Sequence, residues 1–207
     1  MIHFSEEDIE ELDKVFRINL INSCSGYKSA NLIGTKSKSG ISNVAVFSSI
    51  VHLGSNPPLL GFFLRPTEIF PRNTYTNIKE SGIYTINSIY KKIIDDAHHT
   101  SAKYDKNISE FTVTNLKEEY INNIYAPFVK DSPIKIEMKF LEEMKIKENK
   151  CKLIVGKIVS LHIDKKLLEK DGFLSLNKGE IPTIGGCDAY YTPIDYVRKE
   201  YQKPNKK

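Results

Sequence analysis

Ile134-Lys135-Ile136-Glu137-Met138-Lys139-Phe140 is the stretch on which the fold turns. Ile134, Ile136, Met138 and Phe140 fall on one side of an extended chain, and Lys135, Glu137 and Lys139 on the other. Alternation at a period of two is the mark of a half-buried strand, with one face on a core and one in water. Glu142 to Lys150 reads as a polar connection, and Leu153 to Ile163 as a second, longer strand. Gly156 inside it marks a bulge or a close approach of another group. The two strands predict a hairpin with one solvated face.

Outward from this hairpin, residues 28–36, 43–53, 58–64 and 83–89 are short apolar or alternating runs bounded by Gly, Ser, Asn and Pro. Pro57-Pro58 forbids a helix between the second and third. Ser5 caps a helix over residues 5–16, with Asp8 at the capping-box position and Ile9, Leu12, Val15 and Phe16 on one face. Asn73 caps residues 74–80 and Gly82 closes them. Further helices are expected near Asp96–Tyr104 and Leu116–Ile124, with a single turn at Leu167–Lys170 before Asp171-Gly172. Many short strands with a few inserted helices predict a mainly β protein whose sheet curls into a barrel to manage its own edges. One domain over 1–207 is the economical reading, with the basic stretch at about 199–207 as a frayed, disordered tail.

The 207 residues carry a net charge of +4 and three scattered cysteines, Cys24, Cys151 and Cys187. That set suits neither a disulfide framework nor a zinc site, so no metal is expected. No run approaches the roughly 20 apolar residues of a membrane helix, and the N-terminus lacks the basic and apolar regions of a secretory signal. A cytoplasmic protein is the expectation, with no membrane partner. No basic stripe interleaved with aromatics points to nucleic acid. The Gly-x-Ser-x-Gly, His-Glu-x-x-His and Walker patterns do not occur. Gly34 to Gly40 has the wrong spacing for a phosphate loop, and Gly185-Gly186 lacks the third glycine of a dinucleotide fingerprint.

An ordered series of segments remains. It comprises Asn43-Val-Ala-Val-Phe-Ser-Ser49, Ser55-Asn-Pro-Pro58, Phe62-Phe-Leu-Arg-Pro-Thr67, Asn73-Thr74, Gly82-Ile-Tyr-Thr-Ile-Asn87 and Ala97-His-His-Thr-Ser-Ala-Lys-Tyr104. Gly156-Lys-Ile-Val-Ser-Leu-His-Ile163, Asp171-Gly172 and Ile184-Gly-Gly-Cys-Asp-Ala-Tyr-Tyr191 follow. Read singly, Ser48 and Ser49 fill a strand, Arg65 makes a surface ion pair, and the His98-His99 pair ends a helix with at most one ring facing any given ligand. In order and spacing the series resembles the flavin reductase-like, FMN-binding split barrels, the group that includes flavoredoxins, from about residue 20 to 195.

The resemblance implies a Greek-key split barrel with a few peripheral helices, working as a homodimer with FMN as cofactor and NAD(P)H as co-substrate. It places Asn43, Val44, Ala45, Ser48 and Ser49 along the flavin ring edge, where small residues let backbone amides approach. Arg65, Thr67, Asn73 and Thr74 take the phosphate and ribityl contacts, with Arg72 a competitor for the phosphate. His98, His99, Ser101 and Lys103 follow as further cofactor contacts, and Tyr190 stacks on or covers the ring. Flavin N5 carries the chemistry, which leaves His99 as the candidate catalytic side chain. Relatives that use free flavin often carry Gly-Asp-His where this chain has Gly186-Cys187-Asp188, so the nicotinamide contact made by that histidine is missing here. Two functions are implied. One is an oxidoreductase passing hydride from NAD(P)H through flavin to a second flavin or other acceptor. The other is an FMN-binding redox carrier or sensor with no nicotinamide site of its own.

Overall fold

The computed structural model of the chain describes residues 1–68 and 72–204. The expected hairpin is its spine. Strand β9 (Ile134–Lys145) pairs antiparallel with β10 (Lys152–Ile163), so the strand continues through the acidic stretch that reads as a connection. Glu143 is accommodated there because Lys79 and Lys152 lie 3.4 and 3.8 Å from its carboxylate.

In chain order the strands before this pair are β1 (Lys28–Ser29), β2 (Asn31–Lys36), β3 (Ser42–Phe47), β4 (Val51–Ser55), β5 (Pro58–Leu64), β6 (Ile83–Ser88), β7 (Glu118–Glu119) and β8 (Phe128–Val129). Strands β11 (Thr183–Gly185) and β12 (Ala189–Tyr191) follow it. Seven of them form one antiparallel sheet in the order β3-β2-β6-β9-β10-β5-β4. Its two edge strands, β3 and β4, are consecutive in the chain and joined only by Ser48, Ser49 and Ile50. The edges therefore return to one another without pairing, which makes a barrel split along one seam. A smaller sheet, β1-β11-β12, lies beside it.

The run 28–36 divides at Ala30, so that β1 joins the small sheet and β2 the large one. Strand β2 is buried on both faces. Ile33 points into the barrel with Phe62, Tyr84, Ile86, Met138 and Ile154, while its neighbour Leu32 packs outside with Val44, Ile89, Ala97 and Phe111. Two cores on opposite sides of one strand explain why its sequence shows no polar alternation.

Gly156 is both things the sequence allows. The β9–β10 register shifts between Val155 and Gly156, and a Cβ built on Gly156 would lie 2.1 Å from the Tyr84 hydroxyl. That hydroxyl is buried and has no hydrogen-bond partner among the described residues, and burial holds the phenol well above its usual range.

The helices depart further from expectation. The single helix over 5–16 is two, α1 (Glu6–Glu11) and α2 (Lys14–Cys24). Ser5 and Asp8 make the expected capping box, but Leu12 turns extended and Asp13 starts a new helix by accepting from the amides of Val15 at 2.8 Å and Phe16 at 3.2 Å. Helix α3 (Asn73–Ser81) closes on Gly82 in the left-handed conformation as expected, with Arg72 rather than Asn73 at the cap position. Helix α4 (Ile94–His99) ends before Tyr104, and α5 (Glu110–Val113) is a single turn.

No helix forms over Leu116–Ile124. Asn122 and Asn123 both take positive φ, at 53° and 58°, and of the apolar residues with helical spacing Leu116 and Ile124 are buried from a loop carrying β7 while Tyr120 is exposed. The turn expected at Leu167–Lys170 lies at Lys165–Leu167, where Asp164 accepts from the Lys166 amide. Of the tail, the described residues through Pro204 are exposed and without regular structure, and residues 205–207 lie outside the described set.

Candidate functional site

A cavity of about 930 Å³ opens along the seam of the barrel, within the range of small-molecule and cofactor sites. Its walls come from both sides of the split. Strand β3 and the connection after it contribute Asn43, Ala45, Phe47, Ser48 and Ser49; the end of β5 contributes Phe63 and Arg65. The start of α3 brings Arg72, Asn73 and Thr74; α4 and the loop after it bring His98, Ser101, Lys103 and Tyr104. Glu110 of α5, Cys151, and Cys187, Asp188 and Tyr190 from the β11–β12 region complete it.

Most of the sequence-predicted residues are thus gathered in one place. Three are not. Val44 points into the outer core, and its amide donates to Glu110 Oε2 at 3.0 Å. Thr67 is half-buried outside the cavity wall. His99 is exposed and shares a 2.6 Å hydrogen bond with the Tyr104 hydroxyl, while His98 faces the cavity. Successive residues point about 100° apart on a helix, so only one could.

The side chains that do line the cavity are held by specific bonds. Asn43 Nδ2 donates to Thr74 Oγ1 at 3.2 Å, tying β3 to the start of α3. Ser49 Oγ donates to the Phe63 carbonyl and accepts from the Phe63 amide, both at 3.1 Å. That reciprocal pair clasps the β3–β4 connection to β5, so this hydroxyl serves the seam. His98 Nδ1 lies 3.2 Å from the Tyr190 hydroxyl, and the two rings meet edge to face at 5.7 Å. Burial, with a lesser contribution from the Asp188 charge, pushes the Tyr190 phenol up to about 12.

The wall carries two kinds of chemistry. Arg65, Arg72 and Lys103 line the same cavity as the first turn of α3, whose amides have no intrahelical acceptor. Arg72 Nε is buried there without a hydrogen-bond partner among the described residues. Such a donor set has the chemistry to receive a multiply charged anion. Phe63, Tyr104 and Tyr190 also line the cavity, with the small residues Ala45 and Ser48, a composition that suits a flat aromatic ring.

Glu110 is the wall residue that sequence reasoning missed. Glu110 sits in a four-residue helix with no motif around it, and only the fold brings it to β3.

A family model described as a flavin reductase like domain matches residues 26–201. A split-barrel protein of Shewanella frigidimarina NCIMB 400, proposed to be a flavin reductase, superposes with a TM-score of 0.93 at 42% identity, covering 98% of this chain and 100% of its own. The flavoredoxin of Desulfovibrio vulgaris (Miyazaki F) shares the fold at a TM-score of 0.73 and 22% identity, over 84% of this chain and 91% of its own. The uncharacterized protein YwrF of Bacillus subtilis (strain 168) is 27% identical over 143 residues, 67% of this chain and 70% of that protein.

Proposed function

Since this chain belongs to the flavin reductase-like family, we propose that it is an FMN-dependent oxidoreductase that takes hydride from NAD(P)H and passes electrons to a second flavin or another acceptor. The observation that carries the reading is the seam cavity, whose wall combines cationic side chains and helix amides with aromatic and small residues. The donor set fits FMN. Arg65, Arg72, Lys103 and the first amides of α3 suit its phosphate, and Arg72 Nε, without a hydrogen-bond partner among the described residues, is a donor that an anion can satisfy. Asn43, Asn73, Thr74 and Ser101 offer the amides and hydroxyls that a ribityl chain needs. Ala45 and Ser48 leave room for backbone approach to the ring edge, and Tyr190 covers it.

When bound, FMN supplies a ring that accepts hydride and releases electrons singly or in pairs. The protein's share is to orient, to exclude water and to hold charge. Arg65, Arg72 and Lys103 anchor the anionic end, and a 2.6 Å hydrogen bond shared with His99 holds the Tyr104 hydroxyl. Tyr190 stays a neutral hydroxyl at neutral pH, positioned by His98. His98 replaces His99 as the histidine in reach of a ligand.

The apolar outer face of adjacent strands supports pairing of two copies. Leu53 of β4 and Phe63 of β5 are both exposed, and Phe63 also lines the cavity, so a second copy on this face would border the site. Light scattering on the eluted protein should return twice the mass of one chain. A cytoplasmic setting remains part of the proposal, and no helix among the described residues is long and apolar enough to cross a membrane.

The test is the visible spectrum of the purified, untagged protein, before and after NAD(P)H. A flavin spectrum with about one FMN per chain, bleached by NADH or NADPH under anaerobic conditions, is expected. A protein that neither carries nor binds FMN would sink the reading. One that binds FMN but is bleached only by dithionite would favour a redox carrier without a nicotinamide site, the reading that the missing histidine at Gly186-Cys187-Asp188 supports.

A further inference from the structure

Glu110 is the one buried charged residue among the described residues, at 4% exposure. It opens α5 and forms part of the cavity wall. One carboxylate oxygen accepts the Val44 amide at 3.0 Å, and no cation of the ion pairs described here is its partner. An ionised carboxylate held only by neutral backbone amides, those of Val44 and of Glu110 itself, is poorly compensated for the water it has lost. Burial already holds its proton affinity above that of an ordinary glutamate.

We infer that Glu110 takes up a proton when FMN enters the cavity, an inference that rests on the flavin reading of the same site. A ring filling the cavity removes the last solvent on the cavity side of the carboxylate, and the ligand's phosphate adds negative charge nearby. Both favour the neutral acid. The proton comes from solvent, one carboxyl oxygen keeps the Val44 amide, and the other becomes an O–H. No electron moves. Ligand binding then makes a hydrogen-bond donor at the cavity wall, which suits a ring that gains negative charge on reduction better than a carboxylate would.

Other groups on the same cavity titrate or carry charge. They are His98 from α4, Lys103, Tyr104, Asp105 and Lys106 from the loop before α5, Cys187, Asp188 and Tyr190 from the β11–β12 region, Cys151 before β10, and Arg65 and Arg72. His98 in particular can take up a proton beside a phosphate, so the measurement must be a difference between two proteins.

Calorimetry of FMN binding in buffers of different ionisation enthalpy counts the protons taken up. The wild type should take up one more proton than Glu110→Gln on the alkaline side of the transition. Its FMN affinity should fall by up to about tenfold per pH unit there, a slope the variant lacks. Equal proton uptake and equal pH profiles in the two proteins would overturn the inference while leaving FMN binding intact. Failure of both proteins to bind FMN at any pH would overturn the flavin reading and this inference together. If Glu110→Gln does not fold, the infrared difference spectrum of the wild type decides. FMN binding must produce a new carboxylic-acid band that shifts in deuterium oxide, and its absence overturns the inference.

Discussion

Gly156→Ala is expected to destabilise the fold by about 3 kcal/mol, the upper part of the range for overpacking a filled core. The added Cβ would lie 2.1 Å from Tyr84 Oη, 3.0 Å from its Cζ and 3.1 Å from Met138 Cε. Tyr84 cannot step aside, because its ring is fully buried and packs edge-on against Phe62 with centroids 5.7 Å apart. Tyr84→Phe alone should be neutral or stabilising by about 1 kcal/mol, since it deletes a buried hydroxyl with no partner among the described residues. Combined, the two should be non-additive. Removing Oη abolishes the worst overlap but leaves the Cζ and Met138 contacts, so roughly a third to a half of the loss returns. Urea unfolding of the four proteins in a double-mutant cycle measures this. Additive effects, or a harmless Gly156→Ala, would show that the bulge yields more readily than its packing implies.

Arg72→Ala should weaken FMN binding about 100-fold and leave riboflavin, which lacks the phosphate, nearly unaffected. A charge-assisted hydrogen bond removed from a desolvated site is worth about 1.5–3 kcal/mol, and tenfold in affinity is about 1.4 kcal/mol. Arg72→Lys should recover only part, because an ammonium restores charge and not the planar fork. Arg65→Ala should matter less, since Arg65 is exposed and an exposed charge is screened by water and salt. Quenching of flavin fluorescence reports the affinities directly. Equal losses for FMN and riboflavin would mean that Arg72 supports the cavity's shape and not an anion.

The parts of this protein that were legible in its sequence are those set by local rules. The alternation from Ile134 to Phe140 names a strand because one face meets the barrel core and the other meets water. Gly82, with φ of 72°, closes a helix because it needs no Cβ there. What was not legible depends on contacts distant in the chain. Leu116, Tyr120, Ile121 and Ile124 have helical spacing, but Leu116 and Ile124 reach the core from a loop, and two asparagines in the left-handed region break any helix between them. Leu12 fits the apolar face of a longer helix, yet the chain turns there because Asp13 competes for the next amides. Thr67 follows Arg65 closely in sequence but lies outside the cavity wall, whereas Glu110, with no motif, is brought to it by the Val44 amide.

The cavity walls run from Asn22 to Tyr190, and this has a consequence for how the protein acquires its activity. No hairpin or helix pair carries the site. Strands β3 and β4 flank the seam and are linked across the sheet only through β2, β6, β9, β10 and β5, which includes pairings between segments far apart in the chain, and such long-range closures are the slow part of folding. An emerging or partly unfolded chain therefore lacks the cavity altogether, and the capacity to hold a ligand arrives late and all at once. Ligand capture is in this sense a readout of completed folding, and a molecule that fills the seam acts as a latch on the last step.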